Sequence, residues 1–241
     1  MLEVSHLRVR YGRMLAVSDI SLSVPAGKLV AVVGANGAGK STTLRAISGL
    51  VRPDQGEIRF DGRSIVGARA HSIARLGIAH VPEGRGLLPS LTVDENLRLG
   101  SYGRAAGGDI AADRERIFGY FPALRARLAQ PASVLSGGEQ QMLSIARALL
   151  KAPRLLMIDE MSLGLAPRLA QQIMEVVVEL ARSGIAVLCV EQNTRLVLRH
   201  ADHGYVIETG KTVLEGSGAE LLANDGIANA YLGSAQAAGT G

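Results

Sequence analysis

One stretch restricts this chain more than any other. The β-rich run Lys28-Leu29-Val30-Ala31-Val32-Val33 leads into Gly34-Ala35-Asn36-Gly37-Ala38-Gly39-Lys40-Ser41-Thr42 and then into the helical pattern Thr43-Leu44-Arg45-Ala46-Ile47-Ser48. Strand, glycine loop and helix arrive in that order. Small residues let successive backbone N–H groups of the loop face a single anion, and the helix adds the partial positive charge of its N-terminus. Gly34-x4-Gly39-Lys40-Ser41 therefore fits a polyphosphate cradle, in which Lys40 reaches the outer phosphates as a point charge and Ser41 ligates Mg²⁺. The plainer alternative is an ordinary Gly-rich turn with an exposed lysine.

A metal beside phosphate needs an acidic partner, and Leu155-Leu156-Met157-Ile158-Asp159-Glu160 supplies one. It reads as a buried strand whose C-terminal end carries Asp159 to the sheet edge where phosphate-binding turns occur. Asp159 is expected to hold Mg²⁺ through water, and Glu160 is the candidate that polarises an attacking water. Such a pair of acids needs a positive ion between it and a polyphosphate.

Around this unit, the apolar run from Ile185 to Val190 and the helical spacing over 167–182 predict helices crossing between parallel strands. Short alternating segments at 2–10, about 15–24 and 56–61 predict an antiparallel layer near the N-terminus. Thr209-Gly210 predicts a hairpin between 204–208 and 211–215. The region 90–150 reads as mostly helical, interrupted by a surface loop at Gly103-Arg104-Ala105-Ala106-Gly107-Gly108, and residues from Ser234 to Gly241 read as a frayed tail. The fold class expected is α/β: a phosphate-loop core with a mostly parallel sheet, an N-terminal antiparallel layer and a helical subdomain.

With 241 residues, 47% of them apolar, and 29 glycines, the chain can bury a sizeable core, which excludes collagen-like and acidic-tail classes. Its single cysteine, Cys189, rules out a disulfide framework and fits a packing role in a reducing compartment. The net charge of +4 is too small to choose among nucleic acid, an anionic membrane and a phosphorylated ligand as partner. No basic segment with an apolar core opens the chain and no apolar run is long enough to span a bilayer, so neither a secretory signal nor a membrane span is expected. The histidines, His200 and His203 included, form no pattern that demands zinc.

Leu135-Ser136-Gly137-Gly138-Glu139-Gln140-Gln141 adds a hydroxyl and two glycines at the start of a helix expected over 142–150, a second anion-binding terminus. With it, nearly the whole chain resembles the nucleotide-binding subunit of ATP-binding-cassette transporters. The resemblance implies one nucleotide-binding domain over 1–241, with the helical subdomain inserted at roughly 90–150. Its cofactors are ATP and Mg²⁺. By similarity Tyr11 stacks on adenine, although it could equally be a half-buried strand residue. Ser136, Gly137 and Gly138 meet the γ-phosphate held by the opposite subunit, and the 162–167 segment passes the dimer seam. Leu87, Leu88 and Leu91 lie near a transmembrane partner or belong to the core.

Val81-Pro82-Glu83-Gly84-Arg85-Gly86, Ser162-Leu163-Gly164-Leu165-Ala166-Pro167, Val190-Glu191-Gln192-Asn193 and Tyr231-Leu232-Gly233 bring the likeness closer to importers of branched-chain amino acids, with amides or urea as related solutes. That subset implies a second, related cassette, with a homodimer possible in isolation. It also implies two transmembrane permease subunits, an external solute-binding protein and a peripheral location on the cytoplasmic face of the inner membrane; the isolated chain is expected to be soluble. No nucleic-acid partner is expected.

Departures from the broad family pattern bear on the chemistry. Gln192 stands where most relatives have a histidine, and an amide cannot carry a proton near neutral pH, so it is limited to positioning. Glu83 replaces a common glutamine and could join the magnesium shell, grip the membrane partner or pair with Arg85. Ala166 and Met161 stand where aspartate and proline are common. The expected reaction is in-line attack of water on the γ-phosphorus. A small-molecule kinase would leave the helix start at Ser136 without a task, and no Asn-Lys-x-Asp stretch supports a GTPase. A nucleic-acid clamp of this family would carry a long insertion that this chain lacks.

Overall fold

Five apolar residues in unbroken succession, Leu29 to Val33, can be covered only if a sheet has protein on both faces. The computed structural model, which describes residues 1–102, 104 and 109–224, builds that arrangement. The chain runs β1 (Leu2–Tyr11), β2 (Met14–Val24), β3 (Leu29–Val33), α1 (Lys40–Ile47), β4 (Gln55–Phe60), β5 (Arg63–Ser64), α2 (Ala70–Arg75) and β6 (Ile78–Val81). Then come α3 (Val93–Ser101), α4 (Ile110–Tyr120), α5 (Pro122–Arg125), α6 (Gly137–Leu149), β7 (Leu155–Asp159) and α7 (Pro167–Arg182). Last are β8 (Ala186–Glu191), α8 (Thr194–Leu198), β9 (His203–Glu208), β10 (Lys211–Gly216) and α9 (Gly218–Ala223).

The strand order is β5-β4-β1-β2-β10-β9-β3-β8-β7-β6. β9, β3, β8, β7 and β6 are parallel neighbours, with Val32 opposite Val190 and Ile158 opposite Cys189. β1 pairs antiparallel with β2 and with β4, so the antiparallel layer expected near the N-terminus is present. It is joined to the parallel part through β10, which meets β2 at Lys211 and Asp19. The hairpin at Thr209-Gly210 also forms, with φ of +46° and +75° at its two central residues, the left-handed pair that a two-residue turn between twisted strands needs.

Side chains alternate across the parallel strands and divide the core in two. Ala31, Val33, Leu156, Ile158, Val187 and Cys189 face α6 and α7, whose apolar stripes include Leu143, Ala146, Ile173, Met174, Val177 and Leu180. Val30, Val32, Leu155, Met157 and Leu188 face α1 and the antiparallel strands through Leu44, Ile47, Val4, Val9 and Ile20. Each such aliphatic side chain contributes roughly 1.5–3 kcal/mol when fully buried. Cys189 is fully buried and free, and burial pushes its thiol up, so it packs as a small apolar residue.

The helical region contains α3, α4, α5 and α6, and its buried residues Val93, Leu97, Ile117 and Phe121 belong to the same cluster as the face of the parallel sheet. Most of the surface loop expected at 103–108, together with the tail at 234–241 and Tyr231-Leu232-Gly233, lies outside the described residues. Among the described residues no helix is long and apolar enough to cross a membrane.

Candidate nucleotide site

β3 delivers the chain to the sheet edge at Gly34, where a Cβ would stand 2.2 Å from the Ile207 carbonyl oxygen. The loop is therefore pressed onto β9, and only glycine permits the approach. Gly39 caps α1 at φ +105°, a conformation that side chains avoid, and it turns the loop into the helix. The β9–β10 turn supports the loop from below, since the Gly210 amide donates to the Ala38 carbonyl at 2.9 Å. Thr43 Oγ1 donates to the Gly39 carbonyl at 2.9 Å and ties the first turn of α1 to the loop.

Lys40 is 4% exposed. Its Nζ donates to the Gly34 and Ala35 carbonyls at 2.9 and 3.1 Å and lies 3.4 Å from Glu160 Oε1. Ser41 Oγ donates to Asp159 Oδ1 at 3.0 Å, which joins the start of α1 to the end of β7. Burial pushes the Asp159 carboxyl up to about 6; the Ser41 hydrogen bond opposes this, and the charges of Glu160 and Glu83 add to it. Glu160, just past β7, sits at φ +48° with its amide donating to the Val190 carbonyl at 2.9 Å. That left-handed turn redirects the chain after the strand.

Lys40, Ser41 and Glu160 open onto a cavity of about 450 Å³ whose wall also includes Tyr11, Asn36, Gly37, Gly39, Thr42 and Glu83; the buried Asp159 and Gly34 do not line it. Met14, Leu15, Ala16 and Leu163 complete the wall and were not singled out from the sequence as site residues. A sequence signal for Met14 exists, because a two-residue turn at Gly12-Arg13 makes Tyr11 and Met14 cross-strand partners.

Gln192 is exposed just after β8 and does not line the cavity. Ser136, Gly137 and Gly138 do not line it either; they open α6 in another part of the chain. That helix starts at Gly137, five positions before the start expected at Met142. Helix propensity argues against two glycines, but the capping box outweighs it: Ser136 Oγ accepts from the Glu139 amide at 3.3 Å and a Glu139 carboxylate oxygen accepts from the Ser136 amide at 2.9 Å. Arg127 also holds Glu139, at 2.6 Å. The pairing of Glu83 with Arg85 does not form; the Arg85 guanidinium donates to Gln140 Oε1 at 2.5 Å instead.

The donor set fits Mg²⁺. Ser41 and Asp159 present a hydroxyl and a carboxylate side by side, hard oxygens of the kind this ion takes. Among the described residues no group of three His, Cys, Asp or Glu could form a cage, which suits an ion that keeps waters and phosphate oxygens in its shell.

A glycine cradle between a buried parallel strand and a helix, with a serine and an aspartate at its mouth, defines a phosphate-loop nucleotide-binding protein. The ABC transporter family model matches residues 17–162, and the chain belongs to that family. It is 44% identical to a high-affinity branched-chain amino acid transport ATP-binding protein, BraG, of Pseudomonas aeruginosa, over 97% of this chain and 100% of that one. A probable branched-chain amino acid transport ATP-binding protein, LivF, of Archaeoglobus fulgidus is 34% identical, with 93% and 95% covered. The lipopolysaccharide export system ATP-binding protein LptB of Haemophilus influenzae is 32% identical, with 97% of each chain covered. Among solved structures, the ADP conformation of an ATP-binding cassette of an ABC transporter superposes with a TM-score of 0.84 at 28% identity, covering 97% of this chain and 98% of the other. The protein is thus an ATP-hydrolysing ABC transporter ATPase that binds ATP and Mg²⁺.

Proposed function

We propose that this chain is the motor subunit of an importer for branched-chain amino acids. The observation that carries the reading is the 44% identity to BraG across the full length of that protein, against 32% to the lipopolysaccharide-export relative. The assignment of the solute rests on likeness within the family.

In this reading Lys40 exchanges its carbonyl and Glu160 partners for the outer phosphates of ATP. Gly34, Asn36, Gly37, Ala38 and Gly39 contribute the backbone cradle, Thr42 closes it, and Tyr11 stacks on the base. Ser41 and Asp159, with Glu83 beside them, would hold Mg²⁺, which when bound would supply charge neutralisation on the phosphates. Glu160, released from Lys40, orients the attacking water and accepts its proton. Gln192 positions by hydrogen bonding only. A second cassette completes the site, its Ser136, Gly137 and Gly138 bringing a helix N-terminus to the γ-phosphate. The region 90–150 acts as the helical subdomain of a single nucleotide-binding domain.

Closure of two cassettes moves two permease subunits, and the work comes from tighter ATP binding by the closed pair. Leu88, 46% exposed, and Leu91 suit the membrane partner, whereas Leu87 packs partly against the core. The chain sits peripherally on the cytoplasmic face of the inner membrane. The test is ATP hydrolysis by the complex recovered from gently solubilised membranes, with the external solute-binding protein loaded in turn. Stimulation by leucine, isoleucine or valine supports the reading; stimulation by amides or urea alone replaces the solute, and stimulation by DNA replaces the function.

A further inference from the structure

Glu191, the last residue of β8, is a carboxylate with 1% exposure. Both of its oxygens are engaged by one residue: the Ser162 amide donates to Oε1 at 3.0 Å and the Ser162 hydroxyl to Oε2 at 2.6 Å. The Asn193 amide also hydrogen-bonds the group. Its charged neighbour of note is another carboxylate, Glu160, which together with burial pushes Glu191 up to about 7. Burying a carboxylate without a cation costs stability, and an apolar side chain would fill the same space more cheaply.

What the group fixes is the turn between β7 and α7. Within it Glu160 donates its amide to Val190, Met161 is buried, the Leu163 amide donates to the Glu160 carbonyl at 3.3 Å, and the Leu165 amide donates to the Ser162 carbonyl at 3.2 Å. Glu160 and Leu163 both face the nucleotide cavity. Glu160 sits at φ +48°, a conformation that side chains avoid, and beside its own contacts to Val190 and Lys40 the anchor two residues later holds the turn in it.

We propose that Glu191 is a positioning residue: by gripping both donors of Ser162 it holds the turn that aims Glu160 at the attacking water and Leu163 at the cavity rim. The inference rests on the reading of Glu160 as the group that polarises water. A displacement of about 1 Å at a reacting group can cost on the order of a hundredfold in rate.

The test compares steady-state ATP hydrolysis and ATP binding for Glu191→Gln, Ser162→Ala, their double variant and Ser162→Thr. An amide has one accepting oxygen where the carboxylate offers one to each Ser162 donor, so Glu191→Gln is expected to loosen the grip and lower kcat by about tenfold, with KM and ATP affinity unchanged. Ser162→Ala should fall by a similar factor, the double variant no further than either single change, and Ser162→Thr, which keeps both donors, should retain the wild-type kcat. Wild-type kcat in Glu191→Gln, a loss confined to KM, or losses that multiply in the double variant would overturn the proposal. Should Glu191→Gln fail to fold, the pair Ser162→Ala and Ser162→Thr decides alone, equal rates in the two counting against it. Glu160→Gln run in parallel separates the two readings. If it keeps wild-type turnover, the role of Glu160 is wrong; if it is inactive while Glu191→Gln is not, only the positioning role falls.

Discussion

Lys40 is held by two carbonyls and one carboxylate, and among the described residues lining the cavity no other side chain offers a cation to a phosphate. Lys40→Ala is expected to weaken ATP binding by about 10- to 100-fold, the equivalent of the roughly 1.5–3 kcal/mol of a charged hydrogen bond. Titration of the purified variant checks this, and unchanged affinity would reject the assignment. Glu160→Gln keeps the shape of the side chain but cannot take a proton. It should leave affinity intact and lower phosphate release by about 10²- to 10⁴-fold, with a longer-lived ATP-bound pair. Turnover near that of the wild type would move water polarisation to Glu83. Lys40 and Ser41 were singled out in the sequence because they follow a buried strand and a glycine loop, and Asp159 and Glu160 because they stand at the end of another buried strand. Glu191 was not singled out: its meaning lies in Ser162, and only the pairing of β7 with β8 sets the two segments side by side.

Elements meet closely where the glycine loop leaves β3. Gly34→Ala would drive a methyl group to 2.2 Å from the backbone oxygen of Ile207, and neither β3 nor β9 can yield without losing ladder bonds. Destabilisation of about 1–3 kcal/mol is expected, seen as a Tm lower by about 2–12 °C at this chain length, together with weaker ATP binding. An unaltered melting curve would mean that the loop is not clamped. At the start of α6, Ser136→Ala removes an N-cap and half of a capping box, which should cost about 1 kcal/mol. Strand, loop and helix around Lys40 were legible because period, glycine and cap agree there. The start of α6 was misjudged by five residues because the two glycines weigh against helix while the reciprocal Ser136–Glu139 bonds favour it. The short β6, α8 and α9 carry too few residues to show a period.

At the scale of the molecule, a ten-stranded sheet joins segments far apart in sequence, and its order could not be read from local pattern: β10 lies beside β2 because Ser18 and Asp19 donate to the Gly210 carbonyl. Burial in that sheet also couples stability to pH. Glu191 titrates near 4.5 when exposed and at about 7 in the fold, so between those values the folded chain holds the extra proton. Stability therefore falls as pH rises across that window, and a Glu191→Gln variant should show a flatter dependence in melts collected from pH 5 to 8. Identical slopes would place the carboxylate outside the core. The proposed sharing of one catalytic centre between two chains gives the most demanding prediction. Ser136 does not line the cavity that holds Lys40, so each variant, Lys40→Ala or Ser136→Ala, damages both sites of a pair made from itself. In a mixed pair both lesions fall in one site and the other is whole. Mixing the two variants at concentrations that favour pairing should restore turnover to on the order of a quarter of the wild-type rate for random pairing and independent sites. A mixture no faster than either parent would place the Ser136 helix start outside the site of its neighbour, and the γ-phosphate would then have to be enclosed by a single chain.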